Sequence, residues 1–227
     1  MRGGAELSPF GYVLERGVFA VLRLDAPDRA LPLAEAIAAG GVRGIEFTCT
    51  TPQALTLLEP ARARLEGRAL VGMGTVTDGQ QAREAVAAGA AFLVTPTLSW
   101  EVVEVAQERG VPVMMGAFSP TEVLAAWRAG ADLVKVFPAR IGGPAYLRDL
   151  LAPLPDLRLV PSGGVDVESA PAYIRAGAVA VAVGGALVDR ALVARGAWAE
   201  ITARAHALVE AVARARTEGA QAGVGGT

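Results

Sequence analysis

At 227 residues, the chain has the length of one α/β barrel, a fold that commonly runs to about 250 residues as a single unit. Hydrophobic residues make up 52% of it, enough for a large core and a subunit interface, yet no apolar run approaches the roughly 20 residues that span a bilayer. A net charge of −2, one cysteine (Cys49) and one histidine (His206) argue against a nucleic-acid partner, an internal disulfide and a zinc site.

The start, MRGGAELSPFGYVLERG, lacks the apolar core of a signal peptide, so a cytoplasmic protein is expected. Residues 1–16 precede the first strand and are read as a helix or irregular cap over the closed end of a barrel. Eight runs rich in Val, Ile, Leu and Phe then recur: 18–24, 43–48, 69–73, 91–95, 112–116, 132–137, 157–161 and 179–183. An Ala/Leu-rich stretch with helical spacing follows each run. Five of these stretches end in glycine just before the next strand (AIAAGGVRG, AVAAGAAF, AQERGVPV, AWRAGADL, YIRAGAVA), where glycine can take the left-handed conformation that stops a helix. Near-continuous apolar strands joined by helices imply a parallel sheet covered on both faces, and eight units favour closure into a (β/α)8 TIM barrel. An open doubly wound sheet is the alternative. The expected organisation is a single domain over 1–216 with an extra amphipathic C-terminal helix at about 197–216, then a disordered tail over 217–227. His206 falls on that helix, away from the face where barrels place their chemistry.

That face is formed by the C-terminal ends of the strands, so its residues can be taken in order. They are Arg23, then Glu46 and Thr48, Gly74-Thr75, Thr95-Pro96, Gly116, Lys135 and Phe137, Ser162-Gly163-Gly164, and Gly184-Gly185. Lys135 has a further distinction: of 21 Lys plus Arg, 20 are arginine. A guanidinium cannot serve as the deprotonated amine that imine formation needs, so the lone lysine is a candidate for work arginine cannot do. Burial favours the nucleophilic form of such an amine, and a nearby carboxylate such as Glu46 can move protons. A plain Lys-Glu pair inside the barrel is the structural alternative. The glycines after strands 7 and 8 stand where barrels often bind phosphate through backbone N–H groups, and Arg23 could add positive charge. Tight turns would also account for them.

In order along residues 16–190, the segments AVLR, GGVRGIEFT, VGMGTV, FLVTP, MGAFSPTEV, VKVFPA, PSGGV and VGGALV resemble the 2-keto-3-deoxy-6-phosphogluconate (KDPG) aldolase family, including its 4-hydroxy-2-oxoglutarate aldolases. The resemblance implies a class I aldolase, typically a homotrimer, that needs no metal or other cofactor and cleaves KDPG to pyruvate and glyceraldehyde 3-phosphate. By similarity Lys135 forms the imine and Glu46 is the general acid/base acting through water. Thr75 helps hold the pyruvate carboxylate, and Pro96 and Phe137 line the pyruvate pocket. Arg23, Ser162, Gly163, Gly164, Gly184 and Gly185 surround the phosphate. The chain departs from the pattern at Thr50, where many relatives carry arginine, and at Ala186, where many carry serine. The first departure throws carboxylate recognition onto Thr75 and backbone donors, and the second leaves open the choice between KDPG, its galactonate epimer and 4-hydroxy-2-oxoglutarate. Cys49 is read as a small buried hydrophobe rather than a substrate contact. Two other functions on the same barrel are a sugar-phosphate isomerase or epimerase and a non-catalytic sugar-phosphate binder.

Overall fold

The computed structural model describes residues 10–25 and 27–224, the last five by backbone alone. Helix α1 (Phe10–Arg16) leads into β1 (Val18–Leu22), and a short 3-10 turn precedes α2 (Ala30–Ala39). Strand and helix then alternate through β2 (Gly44–Thr48), α3 (Ala54–Arg64), β3 (Leu70–Gly74), α4 (Gly79–Ala87), β4 (Leu93–Val94) and α5 (Trp100–Arg109). They continue through β5 (Val113–Ala117), α6 (Pro120–Arg128), β6 (Leu133–Val136), α7 (Gly143–Leu151), β7 (Leu159–Pro161) and α8 (Ala170–Arg175). The chain finishes with β8 (Val181–Val183), α9 (Arg190–Arg195) and α10 (Trp198–Val224).

All pairings are parallel, in the order β7-β6-β5-β4-β3-β2-β1-β8. The two end strands meet through the bridge Ser162↔Ala182 and through the Val179 N–H, which donates to the Leu159 carbonyl at 3.0 Å. Eight strands therefore form a nearly closed barrel, as the repeat predicts, and the open-sheet alternative falls. The β7/β8 seam is its most thinly bonded side.

Period-two alternation decides what faces inward. Ile45, Phe47, Val71, Met73, Val134 and Val136 belong to the outer core under the helices. Phe19, Phe92, Val94, Met114, Leu133, Val160 and Ala182 form a separate inner cluster. Two residues beyond Leu133 on the same face stands Lys135. Glu46 lies between Ile45 and Phe47 and so also points inward, in register with Val21 and Gly72 of the flanking strands. Phe10 and Val13 of α1 close the inner cluster from below, with the Phe10 ring 5.5 Å from both Phe19 and Phe92. The expected cap over the closed end is thus α1, while residues 1–9 lie outside the described residues.

The predicted glycine stops hold: Gly41, Gly89, Gly110, Gly130 and Gly177 all have positive φ. One boundary moves. Helix α10 continues past Arg216 to Val224, where a tail was expected to begin. The Thr217 hydroxyl donates to the Ala213 carbonyl (3.2 Å) and Arg175 pairs with Glu218 (3.0 Å), contacts that a reading of isolated turn signals cannot anticipate. Residues 225–227 fall outside the described residues. Among the described residues no helix is long and apolar enough to cross a membrane.

Candidate active site

A cavity of about 590 Å³ opens at the C-terminal mouth of the barrel. Ten of the eleven residues to which the family resemblance gives a role line it: Arg23, Thr75, Pro96, Lys135, Phe137, Ser162, Gly163, Gly164, Gly184 and Gly185. The eleventh, Glu46, is fully buried beside it.

Lys135 is nearly buried, placed by the β6 ladder opposite Gly116 and Val160. Its Nζ lies 5.4 Å from the centroid of the Phe137 ring, a cation-π distance, and both side chains line the cavity. Gly116 is glycine for lack of room, since a Cβ there would meet the backbone of Pro96 and Thr97. Pro96 in turn is set by Thr95, whose hydroxyl donates to the Thr97 carbonyl (2.6 Å) and accepts from the Gly116 N–H (2.8 Å).

Among the described residues, neither carboxylate oxygen of Glu46 has a hydrogen-bond partner. Burial pushes its pKa up from the ordinary 4.5, against the pull of the positive charges of Lys135 and Arg23. Isolated from water, the charged form is costly, and the group keeps its proton into a range where an ordinary carboxylate has lost it. The side chain fits only because residue 74 is glycine: a Cβ there would overlap the Glu46 carboxyl. Next to it, Thr75 sits at φ +58°, a left-handed conformation that a β-branched residue adopts at a cost of roughly 1–3 kcal/mol. It is held there from both sides, as the Gly74 carbonyl accepts from the Cys49 N–H (2.8 Å) and the Val76 N–H donates to the Val94 carbonyl (3.1 Å).

On the seam side, Gly163 and Gly164 follow β7 with φ +86° and +84°. Among the described residues, no acceptor within the protein takes up the N–H groups of Gly163, Gly164, Gly184 or Gly185. Free amides at a glycine-lined mouth suit an anion that approaches the backbone closely.

A family model for KDPG and KHG aldolases matches residues 12–204. The chain belongs to the KDPG and KHG aldolase family. The 2-dehydro-3-deoxy-phosphogluconate aldolase of Pseudomonas aeruginosa is 34% identical over 206 residues, covering 89% of this chain and 92% of that relative. A solved structure titled native KDPGal superposes with a TM-score of 0.81 at 29% identity, covering 95% of this chain and 98% of the other. KDPG aldolase from Legionella pneumophila, with pyruvate captured as a covalent carbinolamine, superposes with a TM-score of 0.79 at 29% identity, covering 88% and 97%.

Within this KDPG and KHG aldolase fold, several residues depart from the sequence reading. Arg140, Asp166 and Arg190 also line the cavity and drew no attention in the sequence. Arg140 directly follows KVFPA, and that adjacency was the available signal. Thr50, at the position where many relatives carry arginine, is exposed and off the cavity, its hydroxyl 2.9 Å from that of Thr48. Ala186 does line the cavity. Cys49, expected as a small buried hydrophobe, is half-buried against the outer core and is not among the residues lining the cavity, and burial pushes its thiol up to about 11. His206 is exposed on α10.

Proposed function

We propose that this aldolase cleaves KDPG to pyruvate and glyceraldehyde 3-phosphate through an imine on Lys135. The observation that carries this reading is that one barrel holds the chain's only lysine, which lines the cavity, together with a fully buried carboxyl, that of Glu46, which has no hydrogen-bond partner among the described residues. The unprotonated amine of Lys135 attacks C2 of the 2-keto acid. Glu46 passes its proton, through water, to the departing hydroxyl, and loss of water leaves a protonated imine, which draws electrons from the adjoining carbons, beside a Glu46 that is now ionised. Glu46, through water, takes the proton of the C4 hydroxyl, and the C3–C4 bond breaks. The enamine left behind is protonated at C3 and hydrolysed to release pyruvate. Thr75 holds the carboxylate, Pro96 and Phe137 bound the pyruvate portion, and Arg23, Ser162 and the amides of Gly163, Gly164, Gly184 and Gly185 hold the phosphate. Binding energy from that remote phosphate orients the reacting carbons, so substrates without it lose turnover as well as affinity.

The reaction as written uses no metal or organic cofactor. The working protein is inferred to be a cytoplasmic homotrimer with no nucleic-acid or membrane partner. The family resemblance supports the trimer, and a net charge of −2 weighs against nucleic acid. A single experiment tests the chemistry: borohydride reduction with pyruvate, run in EDTA, followed by peptide mass mapping. A pyruvate adduct on the Lys135 peptide is expected, and its absence after full exposure would sink the imine mechanism in favour of an isomerase. Steady-state comparison of KDPG, its galactonate epimer and 4-hydroxy-2-oxoglutarate then ranks the substrates.

A further inference from the structure

We infer that Arg140 is a specificity-determining residue that clamps the substrate phosphate against the amides of Gly163 and Gly164. The inference rests on the aldolase reading above and adds a residue to its anion site. Three arginines line the cavity among the described residues, Arg23, Arg140 and Arg190. Arg190 is engaged by Asp25 (3.4 Å). Asp166, which also lines the cavity, has its Oδ1 occupied by the Ser169 N–H (2.8 Å), the Ser169 hydroxyl (2.8 Å) and the Glu168 N–H (3.1 Å). Among the described residues no carboxylate pairs with Arg140.

What fixes Arg140 is the glycine loop itself. Its N–H donates to the Gly163 carbonyl at 3.0 Å. Its aliphatic stem runs along Gly164 so closely that a Cβ on that glycine would lie 2.7 Å from the Arg140 Cβ and 3.1 Å from its Cδ. The loop that offers free amides therefore also holds the root of Arg140, a cavity-lining arginine with no carboxylate partner among the described residues. A planar fork beside two backbone donors matches a phosphate, which presents three oxygens, better than a planar carboxylate. Positive charge at Arg140 also falls on the phosphate end of the site, whereas the position at Thr50 lies off the cavity.

Arg140→Gln keeps the stem that packs on Gly164 and removes the charge, and Arg140→Lys keeps a charge without the fork. The readout is the ratio of kcat/KM for KDPG to that for unphosphorylated 2-keto-3-deoxygluconate, together with inhibition by inorganic phosphate. R140Q is expected to lower the ratio about 10- to 100-fold and to weaken phosphate inhibition by a similar factor, with partial recovery in R140K. A role confined to packing would move neither quantity. An unmoved ratio with wild-type phosphate inhibition, or an equal loss on both substrates, would overturn the assignment. Pyruvate trapping on the wild-type enzyme separates the two readings, because pyruvate carries no phosphate. Trapping with an unmoved ratio sinks Arg140 alone, and no trapping sinks the aldolase reading and this inference with it.

Discussion

Glu46→Gln tests the buried carboxyl through stability as well as rate. In the unfolded chain Glu46 titrates near its ordinary 4.5, and in the folded protein burial holds the pKa higher. Between those two values the folded protein keeps a proton that the unfolded chain has released. Unfolding then releases a proton, so raising the pH favours it, and Glu46 contributes a loss of stability that grows with pH until the folded group ionises. The slope of that loss approaches about 1.4 kcal/mol per pH unit. Glutamine has no proton to lose. The stability difference, Glu46→Gln minus wild type, is therefore expected to be flat below about pH 4.5 and to climb in favour of the variant above it. The buried amide of glutamine has its own unpaired donors, worth roughly 1–3 kcal/mol, but that offset does not vary with pH and leaves the slope intact. Urea denaturation at half-unit steps from pH 4 to 8 reads the difference directly. The same variant should lose about 10²- to 10⁴-fold in kcat as a missing acid/base group. A stability difference that stays constant across the whole pH range would show that Glu46 is not held protonated by burial, and the proton-carrier role would lose its physical basis.

Gly74→Ala attacks the same group from its neighbour. The added methyl would fall well inside the roughly 3.5 Å contact distance of the Glu46 carboxyl, so the side chain must swing away, at a cost of about 1–3 kcal/mol. Turnover should fall with Glu46→Gln, and a double variant should fall little further than either alone, which a double-mutant cycle in kcat checks. At the opposite end of the barrel, Phe10→Ala opens the floor of the inner cluster, where Phe10 is fully buried against Phe19 and Phe92. A loss of about 3–5 kcal/mol is expected, read as a lower Tm, with kcat retained at temperatures where the variant stays folded.

The barrel was legible because two periodicities were written plainly in the chain. Each apolar run became a strand, from Val18–Leu22 to Val181–Val183, and the five glycines that stop the helices all carry positive φ. Lys135 was legible for a different reason: a lone lysine within an apolar strand is a local anomaly, visible without any partner. Glu46 in GIEFT shows itself in the same way, and the packing of Leu133 inside the barrel and of Ile45 and Phe47 outside it then places both side chains inward. Helix α10 runs to Val224, past the boundary expected at residue 216, and along that stretch Thr217 bonds Ala213 and Arg175 pairs with Glu218, the second contact joining residues far apart in sequence.

Sequence by itself thus determined the repeat, the strand ends that form the catalytic face and the identity of the amine. Only the tertiary structure decided that Gly74 is the clearance for Glu46, that the Glu46 oxygens have no partner among the described residues, and that Thr50 stands off the cavity while Arg140 lines it. The physical reason is range. Strand and helix periods and turn chemistry act over a few residues and can be read in order. The clearance, desolvation and charge balance of a site depend on which groups eight separate strands bring within a few ångströms of one another.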